Sequence, residues 1–249
     1  MRRVVAAALL LAFAAIPAVA QPTREDREAL RHLRLGQENL RAEHWDTAET
    51  EFKAAIKLDP QLELAHYGLG KAYMGMKRFD AAIAAYTDCR EAVMSQAGRA
   101  ANNKLREEQR VQDQIRQLED QKSQMAGKSF GATAGLQSNA IANLDTMIGE
   151  LRSRRFQGAD GHPPVSPTWI SVALGSAYFR AGKTADAERE YREALKVDPK
   201  LGEAHSNLAV VCLVTSRFAE ADAEIAAAEK AGFAVNPQLK ADIKKALAR

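Results

Sequence analysis

Three groups of residues in this 249-residue chain have types suited to chemistry. Gly127-Lys128-Ser129 has the form of the end of a phosphate-cradling loop, the five histidines could ligate metal, and Cys89 and Cys212 could act as nucleophiles. Each group fails on spacing. A phosphate loop needs a glycine five residues before Gly127 and a strand ahead of it, and position 122 is lysine. His32, His66 and His205 occupy one place in a repeated pattern, and stacked units hold equivalent residues too far apart to share an ion. Both cysteines lie in apolar, helix-patterned surroundings with no C-x-x-C partner, so they read as small buried hydrophobes. No nucleophile elbow, H-E-x-x-H or suggestive carboxylate pair occurs. The expectation is a non-enzyme with no cofactor, no metal site and no catalytic residue.

The elements that hold these residues show themselves as an echo. Residues 55–70 read AIKLDPQLELAHYGLG and residues 194–209 read ALKVDPKLGEAHSNLA, with eight identities at matching places. With Pro60 as phase marker, Leu35-Gly36, Ala48, Phe52 and Ala55 fall at fixed offsets in 29–62. Leu69-Gly70, Ala82, Tyr86 and Cys89 take those places 34 residues on, in 63–96. Leu174-Gly175, Ala187, Tyr191, Ala194 and Pro199 repeat the pattern in 168–201, and Leu208-Ala209, Ala221, Ile225 and Ala228 repeat it in 202–235. Each unit reads as two amphipathic helices, small where they approach closely and bulky beside that contact. Asp59-Pro60 and Asp198-Pro199 end the second helices, because proline disfavours helical geometry in the residue before it. Turns at Glu43-His44-Trp45 and Ala181-Gly182-Lys183 separate the helices within a unit.

Period and pattern together resemble the tetratricopeptide repeat. The resemblance implies an all-α solenoid of two plus two repeats, since a single unit cannot bury its own apolar face. Repeat two has Met94 where the closing proline would stand and is expected to run on as helix. Repeat four ends the array, and residues 236–249 read as a solubilising cap helix.

Between the repeat pairs lies an insert, 97–167. Its first half carries Val111, Ile115, Leu118 and Met125 at three-four spacing, interrupted by Lys104, Glu108 and Lys122. After a glycine-rich break, Ile141, Leu144, Ile148 and Leu151 continue in the same way. An antiparallel coiled-coil hairpin is expected, followed by a Pro/Gly loop. The rival reading is a single polar helix with disordered flanks.

Residues 1–20 read as an export signal: two arginines, an apolar run from Val4 to Ile16, then Ala18-Val19-Ala20 before Gln21. The run is short for a membrane span, though an uncleaved anchor is the alternative. The mature unit 21–96 then begins the repeats. An exported, most simply periplasmic, protein follows, with no stable membrane insertion after cleavage. Of 35 basic side chains Arg2 and Arg3 leave with the signal, so 33 face 32 acidic ones and no global field draws nucleic acid.

What remains is a binding scaffold. The resemblance implies a concave groove along the first helices that holds a protein or peptide partner. By repeat phase the groove residues are Leu33, Gln37, Tyr67, Lys71, Met74, Val172, Ser176, Phe179, Ser206, Asn207, Val210 and Leu213. The hairpin offers a second docking surface or a homodimer arm. Two competing arrangements stand beside this: the chain's own C-terminal helix lying in the groove, and an accessory or solute-binding protein with a small-molecule pocket between hairpin and repeats.

Overall fold

The computed structural model describes residues 23–126, 134–156 and 166–248, and all regular structure among them is helical. The signal expected over 1–20, the Gly127-Lys128-Ser129 turn and most of the Pro/Gly loop lie outside the described residues. Ten helices follow in order: α1 (Arg24–Arg41), α2 (Trp45–Leu58), α3 (Glu63–Gly75), α4 (Phe79–Ala126), α5 (Ala134–Phe156), α6 (Thr168–Arg180), α7 (Thr184–Val197), α8 (Gly202–Val214), α9 (Phe218–Lys230) and α10 (Pro237–Leu247).

Local chemistry sets the ends. Thr23 caps α1 by accepting from the Asp26 amide at 3.1 Å, while its own amide donates to the Asp26 carboxylate at 2.7 Å. At Asp59 and Asp198 the backbone turns extended, and each carboxylate accepts from the amide two residues on at 2.9 Å. Within each unit the turn carries one left-handed residue at the same place: Glu43, Lys77, Gly182 and Ser216, with φ of 57°, 59°, 77° and 59°. Trp45 belongs to α2 rather than to the turn expected around it, which closes one residue earlier.

Helix pairs pack ring against glycine. An added Cβ on Gly36 would stand 2.6 Å from the Phe52 ring, on Gly70 2.4 Å from Tyr86, and on Gly175 2.5 Å from Tyr191. Repeat four has Ala209 at this place, opposite Ile225, whose smaller side chain leaves room for the methyl. Both residues are buried.

The stack runs on across the insert. Ile170, Leu174 and Ala177 of α6 share one apolar core with Leu33, Phe52, Tyr73 and Tyr86, and Tyr178 touches both this core and the next. Lys183 reaches Asp80 at 2.8 Å. Repeat three thus docks on repeat two as though the 71 residues between them were absent.

Those residues leave the stack on α4. With no proline at 94 the helix continues unbroken for 48 residues, about 70 Å at 1.5 Å per residue. The expected division at 96/97 falls inside it. Ile115 on α4 and Ile148 on α5 are buried between the two helices, and Arg152 bonds Glu119 at 2.6 Å. Lys122, which interrupts the apolar seam, is paired with Asp145 at 2.5 Å. An antiparallel two-helix hairpin follows, not a lone polar helix.

α10 closes the array against α9. Ile243 is fully buried in the second core, Asn236 caps the helix start, and Lys240 pairs with Glu229 at 2.7 Å.

Candidate functional site

A cavity of about 800 Å³ lies along the first helices of repeats one to three. Its wall is a set of single-face stripes at one-helix-turn spacing. These are Gln37, Leu40 and Arg41 on α1, Leu64, Tyr67, Gly68, Lys71 and Met74 on α3, and Trp169, Val172, Ala173 and Ser176 on α6. Trp45, Tyr86 and Glu203 complete it. No residue of α10 lines it, so the C-terminal helix serves as the end cap and leaves the groove open.

The structure brings six of the expected groove residues together here: Gln37, Tyr67, Lys71, Met74, Val172 and Ser176. Leu33 is a correction. It is 7% exposed and belongs to the core. It shares its repeat position with Tyr67 and with the shorter, equally buried Val172, both of which line the groove, so place in the repeat alone does not decide the lining. Phe179 and Leu213 pack against the second core. Ser206, Asn207 and Val210 are half-buried on α8, outside the lining. Sequence reasoning missed Trp169, Trp45, Leu64 and Arg41. The signal for Trp169 was present, since 169, 172, 173 and 176 form one stripe at helical spacing.

Aromatic rings dominate the floor. Trp169 meets Tyr67 edge-on with centroids 4.8 Å apart, and Tyr67 lies 5.5 Å from Tyr86. Trp169 remains 38% exposed, so an apolar face is still open to a ligand. Burial first, and then the Glu203 carboxylate, push the Tyr67 phenol up, and burial raises Tyr86 further. The Lys71 ammonium sits 5.9 Å from the Tyr67 ring centroid. Lys71 and Arg41 form no ion pair among the described residues, which leaves two cations facing the groove.

The three equivalent histidines make local contacts. His32 Nδ1 lies 2.6 Å from Glu51, and His205 Nδ1 lies 2.6 Å from Glu224, with its Nε2 3.1 Å from the Pro199 carbonyl. His66 Nε2 lies 3.1 Å from the Pro60 carbonyl. Cys89 and Cys212 are buried and free, 0% exposed. Among the described residues no three histidine, cysteine or acidic side chains converge on a possible metal position.

Comparison with known proteins bears on the same elements. Among solved structures the chain is similar to a thermophilic TPR protein of Thermus thermophilus: 19% identity over 89% of this chain and 100% of that one, TM-score 0.37. It is similar to PilF of Pseudomonas aeruginosa, at 15% identity over 91% and 87% of the two chains, TM-score 0.36. It is also similar to PilW, a type IV pilus biogenesis factor, at 16% identity over 88% and 86%, TM-score 0.41. No curated protein sequence gives a match. A family model for the tetratricopeptide repeat matches residues 33–97 and 172–234, just over half of the chain and the helix pairs on either side of the insert. The helix pairs, the glycine-to-ring contacts and this match together place the chain in the tetratricopeptide repeat family.

Proposed function

We propose that the protein is a non-catalytic interaction scaffold of the cell envelope, holding a peptide or helix of a partner protein in the groove along α1, α3 and α6. The observation that carries this reading is the exposed face of Trp169 over Tyr67, inside a cavity of about 800 Å³. Apolar anchors set among a few polar groups are what peptide recognition uses. The lining supports binding rather than catalysis. Its one aliphatic hydroxyl, Ser176, shares a 3.2 Å hydrogen bond with the Tyr191 hydroxyl.

Export rests on the leader-like residues 1–20, and no helix of the described residues is long and apolar enough to cross a membrane. The hairpin is the arm for a second docking contact or for a homodimer, with Leu105 and Met147 53% and 50% exposed.

The test uses the protein's own reporters. Its only two tryptophans, Trp45 and Trp169, both line the groove. A peptide selected from a displayed random library should change tryptophan emission saturably. Selected peptides that bind without altering that emission would place recognition elsewhere.

A further inference from the structure

The two edges of the groove differ in chemistry. One edge is apolar: Leu30, Leu64 and Trp169 hold a single place in repeats one to three and are 53%, 44% and 38% exposed. The other edge is cationic. Arg41 and Arg180 share a place in the last turns of α1 and α6, and repeat two has Gly75 there, with Lys71 one turn earlier on α3. All three cations are exposed, and among the described residues none forms an ion pair. Lys71 lies 5.9 Å from the Tyr67 ring centroid, and Arg180, just outside the cavity, lies 5.7 Å from that of Phe79.

Helical spacing turns both edges to the same side. Leu30 and Arg41, like Trp169 and Arg180, are eleven residues apart, which is three helical turns. Leu64 and Lys71 are seven apart, which is two turns. At 1.5 Å per residue the edges stand about 16 Å apart on α1 and α6 and about 10 Å apart on α3. An α-helix with its side chains is about 10–12 Å across, so one lying along the groove, across α1, α3 and α6, meets both edges at once.

Repeat four ends the pattern. Glu203, the one acid in the lining, takes the place of Leu30, and Val214 takes that of Arg41. The other uncharged polar groups of α1 and α6 in the wall are Gln37 and Ser176. Over repeats one to three the groove therefore offers an apolar row and a parallel row of free positive charge.

Building on the groove reading above, we infer that the occupant is an amphipathic helix of a partner protein whose apolar stripe is flanked by a stripe of Glu or Asp side chains. Its apolar stripe lies on Leu30, Leu64 and Trp169, and its carboxylates face Arg41, Lys71 and Arg180. Charge complementarity selects this class. A single C-terminal carboxylate meets one cation, whereas side chains three and four apart on a helix meet a row of cations on separate repeats.

The experiment titrates the mature chain with three acetylated, amidated helical peptides, followed by the emission of Trp45 and Trp169. All three carry one leucine stripe, and the stripe beside it is all glutamate, all glutamine or all lysine. Exposed charge pairs are individually weak and screened by salt. The glutamate peptide should therefore bind about threefold to tenfold tighter than the glutamine peptide at low salt, with the lysine peptide weakest and the preference shrinking at high salt. Arg41→Glu with Lys71→Glu should reverse the order with helicity unchanged. Three results overturn the inference and leave the groove reading standing: equal binding of the glutamate and glutamine peptides, an order indifferent to the charge reversal, or a glutamine peptide with a free C-terminal carboxylate binding as tightly as the glutamate peptide. If no peptide alters the emission this inference falls, and the groove reading is then decided by the library-selected peptide.

Discussion

Arg90 on α4 and Glu190 on α7, a hundred residues apart in sequence, are joined by hydrogen bonds of 3.0 and 3.2 Å from one guanidinium nitrogen to both carboxylate oxygens. Glu190 is buried, its side chain 5% exposed, while Arg90 is about a third exposed. The pair bolts repeat two to repeat three across the insert. Removing one partner strands a charge, and for a fully buried pair that costs 3–5 kcal/mol. Because Arg90 is partly solvated, Arg90→Ala should cost about 2 kcal/mol, and Arg90→Ala with Glu190→Gln less than the sum of the singles. Urea unfolding of the four-member cycle measures this, and an additive cycle contradicts the pairing. Replacing 97–167 by a short linker should leave the same coupling intact.

Glycines divide into two kinds. Gly70→Ala drives a methyl to 2.4 Å of the Tyr86 ring, whereas at Gly149 nothing lies within 4 Å. Gly70→Ala should therefore destabilise by about 1–3 kcal/mol. Gly149→Ala, on an exposed helix face, should stabilise its helix by up to about 1 kcal/mol. Equal effects in thermal unfolding would contradict the packing.

Much of this was legible in the letters. Gly70 opposite Tyr86 and Gly175 opposite Tyr191 followed from small and bulky residues recurring at a fixed period, and the long α4 from Met94 standing where proline would end a helix. The junction was not legible, because nothing in the spacing of Arg90 and Glu190 says that a 71-residue excursion returns to the same surface. The groove was half legible. Helical phase found Tyr67, Lys71 and Ser176 but could not separate Leu33 from Tyr67 and Val172, which hold the same repeat position and do line the cavity.

Both thiols should be inert in the folded protein. Burial pushes Cys89 up to about 12 and Cys212 up to about 11 from an ordinary 9.0. Iodoacetamide at neutral pH should label neither until the chain unfolds. The sign of the linkage follows: raised thiols favour the fold fully below about pH 9, and that contribution is lost as pH rises towards 11–12. Rapid native labelling would show that the helices open locally around them.

The central claim, that the groove along α1, α3 and α6 is the recognition surface, is tested most directly by Tyr67→Ala combined with Trp169→Ala. The measurement is affinity for a library-selected peptide, by calorimetry, alongside melting temperature. Aromatic anchors at an interface commonly contribute 2 kcal/mol or more. The account predicts at least a tenfold loss of affinity, about 1.4 kcal/mol, in a chain that still melts cooperatively, with some fall in melting temperature because the Tyr67 ring packs against the first core. Undiminished binding with a large fall in melting temperature would contradict it.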